Sequence, residues 1–319
     1  MADCSKQFIN FFENITLTDK EENTLRQNRD SLRKKIGSYF SDQGLKQPTF
    51  CGQGSFSMKT TIREDNNEYD IDDGVYLTHL PDNKNEWPKT EEIHKLIINS
   101  VDNHTNQEIK DKNKCVRVPY SDGHHVDLAI YGECNQKYYL SVKGDTQWEE
   151  NSAKSFKDWF DSNKVKYGND FVNIIKAIKK WSQKQDFKNE ITGFIITILV
   201  GENFYKNERI DNTLYSTLTN IVSDLKNNKK ILRPVMPYKN LTEKYDCNEF
   251  EKKFINRFEE FELEAKKALS ATDISEATSI WISLFGTDFP KNDTDEEVKE
   301  SFYQISNQPK PWSYFSEKN

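Results

Sequence analysis

Glu68-Tyr-Asp-Ile-Asp-Asp-Gly-Val-Tyr-Leu77 is the stretch whose reading decides the fold. Side chains alternate along a strand, so Asp70 and Asp72 share one face while Tyr69, Ile71 and Asp73 share the other. Two neighbouring carboxylates repel each other, and a divalent cation between them removes that cost. Downstream, His125-Val-Asp-Leu-Ala-Ile-Tyr131 sets Asp127 opposite a face of Val126, Leu128 and Ile130. Laid beside the first strand, this one carries Asp127 into the same cluster. Three oxygen donors with positions left for substrate phosphates suit Mg2+, as two ions, with Mn2+ able to substitute. A solvated edge strand would also carry acids, but here Asp-Ile-Asp follows a Gly-Ser turn and lies inside an apolar run.

That turn is Gly52-Gln53-Gly54-Ser55. Glycine lets backbone N–H groups approach a phosphate closely, and the Ser55 hydroxyl adds a donor. Met58 rather than glycine precedes Lys59, which excludes a Walker A loop. Gln53, Gly54 and Ser55 are the expected nucleotide-binding residues of this turn.

Around these motifs the coarse pattern is β-rich up to about residue 145 and helical beyond. Leu25, Leu32, Ile36 and Phe40 mark an amphipathic helix over 21–41, and a polar turn over Glu64–Glu68 leads into the first acidic strand. A helix is expected over Glu91–Val101 and strands over Lys114–Pro119, His124–Tyr131 and Lys137–Val142. Helices are then expected at Lys154–Phe160, Asp170–Trp181, Ile191–Val200, Thr213–Leu225, Asn248–Ala271 and Ile274–Phe285. For Ile191–Val200 a buried strand would look the same. The expected class is α+β, with a mixed-sheet lobe over 1–165, a helical lobe over 166–319 and a site in the cleft between them.

Composition narrows the function. With 319 residues the chain suits two lobes, and its longest apolar run, Gly193–Val200, is far shorter than the roughly 18 residues of a membrane helix. Cys4, Cys51, Cys115, Cys134 and Cys247 are scattered, and no Cys/His spacing fits zinc; free thiols in a cytoplasmic protein are expected. A net charge of −7 disfavours a broad face for long nucleic acid, where phosphate contacts need cations. A small anionic substrate carried with metal remains compatible.

Gly-Ser, then Asp-x-Asp, then a lone strand Asp resembles the polymerase β-like nucleotidyltransferase superfamily. The details look like the cGAS/DncV-like nucleotidyltransferases (CD-NTases) of bacterial anti-phage (CBASS) systems. They include Leu-Arg-x-x-Arg-Asp-x-Leu in the first helix, Gln53-Gly-Ser-Phe56, Tyr69-Asp-Ile-Asp-Asp-Gly-Val-Tyr76, His124-His-Val-Asp-Leu128 and Leu284-Phe-Gly-Thr-Asp-Phe-Pro290. The resemblance implies a polymerase β-like lobe with an oligoadenylate synthase-like helical lobe. It also implies synthesis of cyclic di- or trinucleotide second messengers from ATP, GTP or other nucleoside triphosphates. A monomer is expected, with accessory proteins of such systems as candidate partners.

Carried over residue by residue, the resemblance makes Asp70, Asp72 and Asp127 catalytic and metal-binding. In Ile174-Ile-Lys-Ala-Ile-Lys-Lys-Trp181 it assigns Lys179 to the triphosphate, although Lys176, Lys180 and Lys184 would equally mark a solvated face. Relatives often carry hydroxyl residues where this chain has Thr192-Gly193, so any phosphate contact either shifts to Thr192 or is missing. Phe194 reads as core rather than as a base platform. His124 and His125 read as a solvent-facing turn residue and a strand residue rather than as metal ligands. Two other readings compete: transfer to an RNA or protein acceptor (or linear oligonucleotide synthesis), and a catalytically dead nucleotide-binding scaffold. The intact triad argues against the last.

Overall fold

The structure, a computed structural model, describes residues 2–63, 69–78, 80–144, 148–151 and 153–291; the expected turn Glu64–Glu68 lies outside the described residues. The chain starts with a helix that the reading above lacks. In α1 (Ser5–Ile15), Phe8, Phe11, Phe12 and Ile15 fall at helical spacing and are all buried. Next, α2 (Asp19–Asp42) opens on a capping box between Thr18 and Glu21 and buries Leu25, Leu32, Ile36 and Phe40.

Among the described residues seven strands form one sheet: β1 (Thr49–Gln53), β2 (Asp70–Leu77), β3 (Lys110–Asp111), β4 (Val116–Pro119), β5 (His125–Cys134), β6 (Lys137–Leu140) and β7 (Glu149–Glu150). The order is β1-β2-β5-β4-β3, and β6 pairs with both β5 and β7. Between β1 and β2 lies the short α3 (Gly54–Met58). Strands β2 and β5 are parallel, which requires a crossover, and α4 (Thr90–Val101) lies on that path. Helices α2 and α4 cover the back of the sheet, where Ile71, Val75, Val126, Leu128 and Ile130 meet Leu32, Ile36, Ile93 and Ile97 in one core.

Beyond β7 come α5 (Ala153–Tyr167), α6 (Asn169–Lys184), α7 (Gly193–Asn203), α8 (Ile210–Asn228) and α9 (Cys247–Phe250). A π-helical turn at Glu251–Ile255 leads from α9 into α10 (Asn256–Ser270), and α11 (Ile274–Phe285) follows. The segment around Ile191–Val200 is helical; its run of apolar letters reflects burial on all sides, from Ile195 to Gly201. Helix α1 packs with these C-terminal helices: Phe11 stacks on Phe285 at 4.7 Å and Phe8 meets Trp281 at 5.1 Å. The architecture is α+β, a mixed sheet followed by helices. Among the described residues no helix is long and apolar enough to cross a membrane.

One charge sits within the back face. Asp73 is fully buried and accepts two hydrogen bonds from Arg33 of α2, at 2.7 and 2.5 Å. Removing the guanidinium would strand a buried carboxylate, so Arg33→Ala should cost about 3–5 kcal/mol of stability. Urea titration of wild type and variant checks this; a loss under about 1 kcal/mol would show that the pair does not pin α2 to the sheet.

The lysines of α6 correct the expectation of a solvated face. Lys176 is buried and donates to the Thr16 hydroxyl at 2.9 Å. Lys180, 4 % exposed, pairs with Asp288 at 2.7 Å. Only Lys184 of these three is exposed. Their long stems fill space between α6 and its neighbours, so a letter pattern of solvated lysines here encodes packing.

Candidate active site

Strand register builds the site. In the parallel pair, Asp70 lies opposite His125 and Asp72 opposite Asp127; across the antiparallel pairs, Gln53 lies opposite Asp72 and Arg117 opposite Asp127. Gln53, Asp72, Asp127 and Arg117 therefore form one row across four strands, with Asp70 and His125 one step along. Alternation puts these side chains on the front face, away from the α2/α4 core. Asp127 is buried and accepts two hydrogen bonds from Arg117, both at 2.8 Å. Ligand atoms of Asp70, His125 and Asp127 lie within 4.8 Å of one another, and Asp72 flanks them.

The electrostatics fit a cation. Burial pushes the Asp72 carboxyl well above the usual carboxylate range, and the charges of Asp70 and Asp127 push it further, with Arg117 and Lys179 opposing. Three carboxylates on one face thus carry more negative charge than the neighbouring cations balance. Three carboxylates on one face are an oxygen donor set for Mg2+ or Mn2+.

Turn geometry explains the glycine ahead of the acids. Gly54 has φ +67°, and a Cβ there would fall 1.8 Å from Asp72 Oδ2. Only glycine allows α3 to start so close to the carboxylate. The Ser55 hydroxyl is 3.0 Å from that of Thr61.

Two cavities adjoin the acids. One, of about 280 Å³, is lined by Ser55, Asp70, Lys179, Lys188 and Gly193 among others. The other, of about 360 Å³, is lined by Gln53, Gly54, Asp72, Phe194, Arg233 and Lys239 among others. Lys179 thus stands in a cavity with Ser55 and Asp70, and its Nζ donates to the Thr60 carbonyl at 2.8 Å. Gly193 makes room for it: a Cβ there would lie 3.1 Å from Lys179 Cε. The Thr192 hydroxyl caps α7, accepting from the Ile195 N–H at 3.4 Å, and its side chain does not line the cavity.

Lys179→Ala should therefore weaken binding of a non-hydrolysable nucleoside triphosphate by about 1.5–3 kcal/mol, the worth of a charge-assisted contact. Lys180→Ala should instead lower thermal stability, because it removes a buried lysine paired with Asp288. Calorimetric titration and melting curves separate the two; equal effects on affinity would mean that α6 has been read in the wrong register.

Two expectations are corrected here. Phe194 is not core: it is 39 % exposed, faces the second cavity and packs its ring on Phe156 at 4.6 Å. His124 is not solvent-facing: it is 2 % exposed, stacks on Tyr120 at 4.4 Å and bonds to Asn28 at 2.8 Å. The exposure of each ring depends on which distant element lies against it, α5 for Phe194 and α2 for His124, and no local pattern carries that. Arg117 had a sequence signal, since in Val116-Arg117-Val118 it alternates onto the face opposite two valines. Arg233 and Lys239 come from a connection of irregular structure and had none.

Residues 48–131, which hold the Gly-Ser turn and all three acids, match the family model described as the nucleotidyltransferase domain of DncV-like cyclic GMP-AMP synthases. Over these residues the chain is similar to the DncV-like nucleotidyltransferases. Solved structures agree in fold. The E. coli MS115-1 CdnC, solved with ATP, is 19% identical with a TM-score of 0.69, over 91% of this chain and 99% of that one. The Vibrio cholerae DncV cyclic AMP-GMP synthase, solved with the linear intermediate 5′ pppA(3′,5′)pG, is 17% identical with a TM-score of 0.75, over 91% and 97%. The DncV-like domain supplies the whole acidic row, and α6 and α7 supply Lys179 and Gly193 from outside it.

Proposed function

We propose that the chain joins nucleoside triphosphates, ATP or GTP among them, into a cyclic di- or trinucleotide with release of pyrophosphate, as a second messenger in anti-phage defence. The observation that carries this reading is the acidic row with a cavity on either side, one beside Lys179 and Ser55 and the other beside Phe194 and Arg233. Two small substrates can then meet at the same carboxylates, one giving its α-phosphorus and the other a ribose hydroxyl. A new P–O bond forms, the bond to pyrophosphate breaks, and the hydroxyl proton passes to Asp127 or to water.

Asp70, Asp72 and Asp127 would hold Mg2+, or Mn2+ in its place, which supplies positive charge beside the hydroxyl and the phosphates. The residues of the chain do the positioning. Gln53, Gly54, Ser55 and Lys179 hold the triphosphate, with Thr192 fixing the start of α7 behind Gly193. Arg117, donating to both oxygens of Asp127, fixes the orientation of this carboxylate toward the attacking hydroxyl. Phe194 offers a ring face for a base. In this reading 1–165 and 166–319 act as two lobes, with α1 packed into the helical one. The E. coli CdnC was also solved in complex with HORMA-deltaN, and a protein of that kind is a candidate partner.

Incubation with the four triphosphates and magnesium, without any acceptor, tests the proposal. A new oligonucleotide is expected from small molecules alone. Turnover that appears only when RNA or a protein acceptor is added would move the chain to acceptor-directed transfer.

A further inference from the structure

We infer that His125 is a ligand of the catalytic cation, so that the site binds a transition metal, Mn2+, more tightly than Mg2+ before any nucleotide arrives. The inference rests on the metal site proposed above and deepens it.

Register is the first argument. His125 and Asp127 are two apart on β5 and so share the face that carries Asp70 and Asp72, and His125 lies directly opposite Asp70. Four donor side chains thus occupy neighbouring positions on two parallel strands. The ligand atoms that lie within 4.8 Å of one another are those of Asp70, Asp127 and His125, a distance that one cation spans.

Donor supply is the second argument. Both oxygens of Asp127 accept from Arg117 at 2.8 Å, which draws off part of the electron density that a cation would use. Asp72 lies on the other side, its Oδ2 against Gly54. The imidazole of His125 brings a nitrogen donor to the oxygens of Asp70 and Asp127. Nitrogen donors are accepted by Mn2+ and poorly by Mg2+, which keeps to oxygen and to water.

The test is direct and needs no turnover. Mn2+ alone is added to the wild-type protein without nucleotide, and bound ion is examined by electron spin echo envelope modulation. Modulation from nitrogen-14 is expected, lost in His125→Ala, and Mn2+ should bind wild type at least about tenfold more tightly than Mg2+. In His125→Ala that preference should fall to within about threefold, while Mg2+ affinity changes little. Bound Mn2+ without nitrogen modulation in wild type would overturn the inference and leave the carboxylate site standing. If wild type and Asp70→Asn took up Mn2+ equally weakly, the metal site itself would fail, and the inference with it. Because the key readout is on wild type, misfolding of a variant does not shield the inference.

Discussion

Asp70→Asn combined with Asp72→Asn should lower product formation by about 10³-fold or more, because the charge that develops on the transferring phosphates then lacks its counter-charge. The fold should survive. Burial and the two neighbouring carboxylates raise the Asp72 carboxyl above its ordinary value, so without metal the ionised form costs stability at neutral pH. The sign follows: a carboxyl raised in the folded state stabilises below its unfolded value and loses that contribution as pH rises through the folded one. The amides remove the cost, so the metal-free melting temperature should rise by about 2–4 °C at neutral pH. That gain should vanish below the ordinary carboxylate range, where wild type is already protonated. Melting curves across pH, paired with pyrophosphate release, check both halves. Activity above a few per cent of wild type would remove Asp70 and Asp72 from the chemistry.

Gly54→Ala should have the second largest effect, though it touches no ligand atom of its own. The new Cβ would sit 1.8 Å from Asp72 Oδ2, closer than any real contact, on a backbone with φ +67°. Either α3 or the carboxylate has to shift, and a displacement of about 1 Å in a catalytic group can cost 10²-fold in rate. Strain in the left-handed conformation adds on the order of 1–2 kcal/mol of lost stability. Measured kcat should therefore fall about 10²-fold while the protein stays folded by circular dichroism. Wild-type turnover in this variant would mean that the close approach of α3 to Asp72 is not needed.

These two variants also indicate what sequence could reveal. Asp70, Asp72 and Asp127 were legible because strand alternation and a short-range pattern fix which face each occupies, and parallel pairing of β2 with β5 then aligns them. Lys179 among several lysines needed the resemblance, since helical spacing alone does not say which faces a cleft. Phe8, Phe11, Phe12 and Ile15 did carry a helical period, so α1 was available to a closer reading. The surroundings of Phe194, His124 and Lys180 were not, because each is set by an element distant in sequence: α5 for Phe194, α2 for His124 and Asp288 for Lys180. Arg117 shows the intermediate case. Its face follows from alternation, but its grip on Asp127 requires knowing that β4 lies beside β5.

In the proposed reaction both bonds form at one acidic row flanked by two cavities. After the first bond the linear intermediate keeps a triphosphate at one end and a hydroxyl at the other, and it must turn so that this hydroxyl reaches the same carboxylates. Ring closure then releases the last pyrophosphate and leaves no terminal phosphate. Mass spectrometry of the purified product, before and after alkaline phosphatase, tests this most directly. An unchanged mass equal to that of a cyclic di- or trinucleotide is the predicted result; a mass reduced by terminal phosphates would show that the enzyme releases linear oligonucleotides and would contradict the account.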